Sequence, residues 1–199
     1  MRWALPVAAL GYHFFLRPQM RKWGTRLGES QRRLAGDDIV PKPNFQMTHA
    51  VNIDAPPEAI WPWLAQMGRE RTGYYGLDLL TNQGIPSVNF IRQDIPGPEI
   101  DMAMDGGFRI VALEPNRKFL FGGFDLQRLP GITQEVSMLY LLEHRQDGST
   151  RLLIRQRAFT YSIFSVAFNL IYEMLCFIAL IEQRRQLKQL AEDMKHLSS

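Results

Sequence analysis

SIFSVAFNLIYEMLCFIALIEQRRQLKQLAEDMKHL, Ser162 to Leu197, is the longest run of the chain without Gly or Pro. Its apolar residues (Ile163, Val166, Ala167, Leu170, Ile171, Met174, Leu175, Ile178, Ile181, Leu187, Leu190, Met194) recur every three or four positions. That rhythm predicts one helix with a broad apolar face. At 1.5 Å per residue, about 35 residues reach about 50 Å. The first half is apolar nearly all round, except for Asn169 and Glu173. From Glu182 onward, Arg184, Arg185, Lys188, Glu192, Asp193 and Lys195 mark a solvated face. Such a helix needs a surface to lie against. Glu173 is either a polar anchor inside a cavity or a sign that this half meets water.

The rest of the chain supplies that surface. Met47–Ile53 reads as a strand and ends at Asp54-Ala55-Pro56-Pro57, which opens a helix over 57–67 closed by Gly68. Leu77–Leu80 reads as a helical turn, and Gln83–Asp105 as an irregular loop. Strands follow at Phe108–Leu113 and Lys118–Phe124, where Gly122-Gly123 suggests a bulge or a close backbone approach. Glu135–Arg145 and Thr150–Thr160 flank Asp147-Gly148, the strongest hairpin signal present. The order is strand, two short helices, antiparallel strands, long helix. That is an α+β layout with a sheet covering one helix.

A two-residue Asp147-Gly148 turn would set Leu141 opposite Ile154, Leu139 opposite Gln156 and Glu143 opposite Leu152. This mostly aliphatic face is the one expected on the long helix. The other face would pair Leu142 with Leu153, Tyr140 with Arg155 and Met138 with Arg157. It allows a Tyr140–Arg155 cation–π contact, and it leaves Arg155 and Arg157 either solvated or forming an anion-binding edge. A three-residue turn would swap the faces.

At 199 residues, 46% hydrophobic and 22% charged, the chain fits one globular domain. Its net charge of +3 is unevenly placed. Residues 1–35 hold seven basic side chains and one acid, Glu29, an excess of +6, so the remainder carries −3. These cations follow an apolar start, which fits an anionic membrane surface better than nucleic acid. Residues 3–16 are too short for a span, which needs roughly 17–25 residues. Three readings stay open for them: a membrane-surface anchor, an arm packed on the domain, or a true span or signal. Accordingly 1–20 is read as an arm or anchor, 21–44 as a basic helix (25–34) and linker, and 45–199 as the domain. The single Cys176 permits no intramolecular disulfide and fits a cytoplasmic location, with the arm at the inner face of the membrane.

Leu34–Pro41 (LAGDDIVP), Val51–Gly68 (VNIDAPPEAIWPWLAQMG) and Asp147–Arg157 (DGSTRLLIRQR) together resemble a bacterial, polyketide cyclase/dehydrase-like branch of the SRPBCC superfamily, also called START-like or helix-grip. The resemblance covers roughly 34–196. It implies a bent antiparallel sheet wrapped around the long C-terminal helix, two short helices after the first strand, and an apolar cavity between sheet and helix. Gly73, Tyr74, Tyr75, Asp78, Leu80 and Asn82 match the branch's pattern after the first helix; Leu77 and Leu79 stand where it has aromatics. Asp78 and Asn82, four residues apart, are expected to cap or brace the preceding loop.

No nucleophile elbow, phosphate-binding glycine loop or paired-cysteine motif occurs. His13, His49, His144 and His196 lack metal-ligand spacing, so neither a metal nor a cofactor is expected. The leading reading is non-catalytic binding or transfer of a hydrophobic small molecule, lipid or polyketide-like. The alternatives are a cyclase or dehydratase acting on a similar ligand, and a small membrane protein with residues 163–181 as its span. Candidate cavity residues are Trp61, Trp63, Tyr74, Tyr75, Phe108, Phe121, Tyr140 (if hairpin parity is reversed), Phe168, Tyr172, Glu173 and Phe177.

Overall fold

The structure, a computed structural model, describes residues 11–104, 107–129, 132–161 and 165–198. A π-helical turn, Tyr12–Leu16, runs into α1 (Arg17–Arg21). Then come β1 (Phe45–Ile53), α2 (Pro57–Ala65), α3 (Asp78–Thr81), β2 (Phe108–Glu114), β3 (Lys118–Leu129), β4 (Ile132–His144), β5 (Thr150–Tyr161) and α4 (Ser165–Ser198). The five strands form one antiparallel sheet in the order β1-β5-β4-β3-β2, left open between β1 and β2. The α+β layout read from the sequence is present, as is the long C-terminal helix.

Pro56 and Pro57 start α2, since a proline lacks the N–H that a first turn cannot satisfy. Gly68, at φ +144°, ends the segment after it. Gly122-Gly123 marks a close approach: a Cβ on Gly122 would sit 2.8 Å from the Val136 carbonyl oxygen. The bulge lies instead on β2, at Val111, where the register with β3 shifts.

The β4–β5 hairpin departs from the expected register. His144 pairs with Thr150 across a five-residue loop, and Tyr140 pairs with Ile154. Gly148, at φ +80°, donates its N–H to the Arg145 carbonyl, while Arg145 N–H donates to that of Ser149. This longer loop keeps the predicted parity of β5 and reverses that of β4. Val136, Met138, Tyr140 and Leu142 therefore share the helix face with Leu152, Ile154, Gln156 and Ala158. Tyr140 and Arg155 lie on opposite faces, so the expected cation–π contact does not form.

Helix α4 packs chiefly on β1 and α2, and to a smaller extent on β5. Its Leu180, Leu187 and Ala191 belong to the same buried core as Met47, Ile53, Ile60, Leu64 and Leu152. An aromatic cluster of Phe108, Phe119, Phe121 and Tyr140 fills much of the space above β3 and β4. Among the described residues, no helix is long and apolar enough to cross a membrane. The reading of 163–181 as a span therefore finds no support.

Residues 22–44 hold turns in place of the expected helix over 25–34. The segment wraps around the free edge of β1. On the helix side, the Met20 carbonyl meets His49 Nε2 at 2.8 Å. At the edge, Ala50 N–H donates to Trp23 O. Gly24 passes so close that a Cβ there would lie 2.2 Å from the Ala50 carbonyl oxygen. On the outer face, Arg151 donates to both Glu29 oxygens and to Gly24 O. Arg155 donates to Asp37, Thr48 Oγ1 and the carbonyls of Glu29, Ser30 and Arg32. Arg157 reaches Asp37 and Val40 O. Arg155 is 2% exposed, so it is neither solvated nor part of an anion-binding edge; the chain's own carboxylate and carbonyls consume it. Val40, Leu120, Leu139 and Leu153 are buried on this side as well.

Candidate functional site

A cavity of about 120 Å³ lies between α4 and the β3–β4–β5 part of the sheet. It exists because α4 sits toward β1 and the aromatic cluster leaves the remaining gap incompletely filled. Phe108, Phe121, Val136, Met138 and Tyr140 form its sheet wall, and Tyr172, Cys176, Ala179, Leu180 and Gln183 its helix wall. Tyr74, Gly76 and Thr81, on either side of the start of α3, close one end. Thr81, Tyr172, Cys176 and Ala179 are half-buried, so solvent approaches from the α3–α4 side.

Three hydrogen bonds join polar groups of the lining. Tyr140 donates its hydroxyl to Gln183 Oε1 at 3.1 Å, and Gln183 Nε2 donates to Tyr74 O at 2.6 Å. Gln156 Nε2 donates to the Tyr172 hydroxyl at 2.7 Å. Burial pushes the Tyr140 phenol well above its usual range, so it stays protonated. The lining thus presents apolar surface with hydroxyls, amides and the Cys176 thiol, and among the described residues it includes no carboxylate, imidazole or ammonium group. Among the described residues, no three His, Cys, Asp or Glu side chains cluster as a metal site would require.

Of the aromatic candidates, Tyr74, Phe108, Phe121, Tyr140 and Tyr172 converge on the cavity. Tyr75 does not. Its left-handed φ of +54° turns it away from Tyr74, and its hydroxyl meets Gln66 Nε2 and Thr72 Oγ1. Burial pushes that phenol up also. Trp63 packs edge-on against Tyr75, on the side of a surface groove between residues 87–91 and the second half of α4. Trp61 packs on Phe119, behind the cavity wall. Phe177 lies between Trp23 and His49. The Phe168 side chain lies outside the described residues.

Glu173 points away from the cavity as well. Fully buried, it accepts from Arg17 Nε at 2.9 Å and from Arg21 Nε and Nη2 at 2.8 and 2.9 Å. It is therefore neither a cavity anchor nor a residue meeting water. It fastens α1 to α4. Asp78 and Asn82 brace the loop that follows them and not the preceding one as expected: Asp78 accepts from Ser87 N–H and Oγ, and Asn82 donates to Ile85 O. Gln156 and Gln183 were missed as site residues. Hairpin pairing put Gln156 on the helix side without marking it as a site residue, and a lone Gln such as Gln183 in a helix reads as a solvent-facing position.

No protein-family model matches the chain, and no curated protein matches it. Among solved structures, the chain is similar to the hypothetical protein jhp0584 from Helicobacter pylori, with a TM-score of 0.55 at 11% identity, over 84% of this chain and 99% of that one. DynU16, from the dynemicin biosynthetic locus, aligns at a TM-score of 0.44 and 14% identity over 73% of this chain and 48% of its own. CalU16 from Micromonospora echinospora aligns at 0.35 and 17%, over 76% and 87%. At these identities the first likeness shows a shared fold.

Proposed function

We propose that the protein is a helix-grip module of the SRPBCC type that binds a small, mainly apolar molecule between its sheet and α4. The order of elements and the open antiparallel sheet facing a long C-terminal helix support that fold reading. One observation carries the ligand reading: the cavity is lined mainly by aromatic and aliphatic side chains, and three hydrogen bonds among its polar groups leave mostly hydrocarbon and aromatic surface to the occupant. Burying apolar ligand area there contributes roughly 25 cal/mol per Å². At about 120 Å³ the space suits a single ring or the end of a chain; a cavity of about 150 Å³ lined by apolar side chains takes benzene. A whole lipid or polyketide would need the half-buried α3–α4 side to open. Binding fits the lining better than proton-transfer catalysis by a carboxylate or imidazole does, because among the described residues the lining holds neither group.

The test is benzene titrated into the protein and followed by NMR. Shifts should concentrate on the Tyr140, Gln156 and Gln183 signals. Ala179→Phe, on the half-buried side, should remove them while leaving the melting temperature within a few degrees. Equal binding by that variant, or no binding by either protein, would sink the proposal. A co-purifying ligand that the protein converts, instead of returning unchanged, would replace binding with catalysis.

A further inference from the structure

Nine of the sixteen large apolar side chains exposed among the described residues fall in two short segments. Phe14, Phe15, Leu16, Trp23 and Leu27 lie in the N-terminal segment, and Ile171, Met174, Leu175 and Ile178 on α4. The α4 set follows i, i+3, i+4, i+7 spacing, so it forms one stripe. The two segments are neighbours: Arg17 and Arg21 hold Glu173 between them, and Trp23 meets Phe177 edge-on with ring centres 5.6 Å apart. Clustering of this kind, unlike scattered surface apolars, marks an interaction surface.

We infer that this surface docks the protein on an anionic phospholipid membrane. The charge around it decides the occupant. Lys22, Arg26 and Arg33 are exposed among the aromatic and aliphatic side chains, and no acid occurs between residues 11 and 28. The acid that follows, Glu29, is consumed by Arg151. Lys22, Trp23, Arg26 and Leu27 also line a groove of about 560 Å³, so cation and apolar side chain reach one place. Anionic headgroups above acyl chains match that mixture: the bases meet phosphate and the indole sits at the boundary. A second copy of the chain would bring like charges together.

The docked face also carries the open side of the cavity. Leu175 and Ile178 flank Cys176 and Ala179, and the exposed Leu79 and Leu80 precede Thr81. Exchange of an apolar ligand with the bilayer follows from that placement, a consequence resting on the cavity reading; the docking itself does not depend on it.

Co-sedimentation of the full chain with vesicles, without added ligand, tests the docking. The protein should sediment with phosphatidylcholine–phosphatidylserine vesicles and stay in solution with phosphatidylcholine alone. Lys22→Gln with Arg26→Gln should weaken binding about 30-fold. Phe14→Ser with Phe15→Ser should weaken it comparably, and all these exposed sites should leave the melting temperature unchanged. Equal binding to neutral vesicles, or full binding by both double variants, overturns the proposal. So does a dimer in solution that Ile171→Ser with Ile178→Ser dissociates while vesicles leave the protein in the supernatant. Because no ligand is present, docking can fail while benzene still binds, and the reverse.

Discussion

The two faces of the sheet are built from alternate residues of the same strands and hold opposite kinds of matter. On β5, Leu152, Ile154, Gln156 and Ala158 face α4, whereas Arg151, Leu153, Arg155 and Arg157 face residues 22–44. The helix face is hydrocarbon with a few neutral hydrogen bonds, and it is incompletely filled. The outer face is closed by guanidinium groups, each saturated by carboxylates and carbonyls. Directional, charged contacts fix the segment in one register. The helix face is held by non-directional burial, which tolerates a cavity. A rigid back and an underfilled front are what a binding module needs.

Removing Arg155 breaks the back and should have the largest effect. Arg155→Ala deletes contacts to Asp37, Thr48 and three backbone carbonyls and leaves Asp37 with Arg157 and the Leu34 N–H. Loss of one partner of a buried pair costs about 3–5 kcal/mol. Chemical denaturation should show that loss, and trypsin should cut at Arg32 or Arg33 far faster than in the parent. A loss under about 1 kcal/mol, the scale of a surface pair, would mean that residues 22–44 are not integral to the fold.

The contrast between the faces also explains what could be read from the sequence. The long helix, the strands and α2 were legible because burial on one side writes a period of 3.6 or 2 into neighbouring residues. The parity of β4 was not. It depends on whether the Asp147-Gly148 turn spans two residues or five, and a change in loop length moves Tyr140 from one face to the other without altering its neighbours in sequence. The outer-face network was invisible for another reason. Asp37 and Arg155 are 118 positions apart, and a charged residue alternating with apolar ones looks solvated whether or not a distant segment covers it. Five of the fourteen described residues that line the cavity are aromatic side chains named as candidates from the sequence. The choice between Tyr74 and Tyr75 rested on one backbone angle.

His49 sharpens the comparison where the wrapping segment meets the helix face. Burial pushes its imidazole down to about 4; the Met20 carbonyl acts the other way, and Arg184 adds to the lowering. The neutral ring donates from Nε2 to that carbonyl. The unfolded chain has an ordinary His at about 6.5, so between these values the unfolded state binds more protons. Stability is therefore undiminished by His49 above pH 6.5, falls as pH drops below it, and stops falling on its account near pH 4. The full loss is about 3 kcal/mol at most. Comparing denaturation of the parent and His49→Gln at pH 7 and pH 4.5 isolates it, since carboxylates titrate in both. Parallel pH profiles would show that His49 charges freely and that the Met20 contact opens.

The smallest effect asks whether the hydrogen bonds of the helix face serve the fold or the ligand. Tyr140→Phe keeps the ring stacked on Phe121 and removes the hydroxyl that Gln183 Oε1 accepts. Gln183 retains its bond to Tyr74 O. An acceptor left without its donor in a buried site costs about 1–2 kcal/mol, so the melting temperature should fall by a few degrees. Benzene affinity should hold, because the deleted atom was turned to Gln183 and the wall it leaves is more apolar. If stability and benzene binding fall together, the hydroxyl reaches the occupant, and the cavity is polar in use. If binding holds while stability falls, the amides and hydroxyls of this face do what the arginines do on the other, holding elements in place, and the ligand is recognised by shape and apolar area alone.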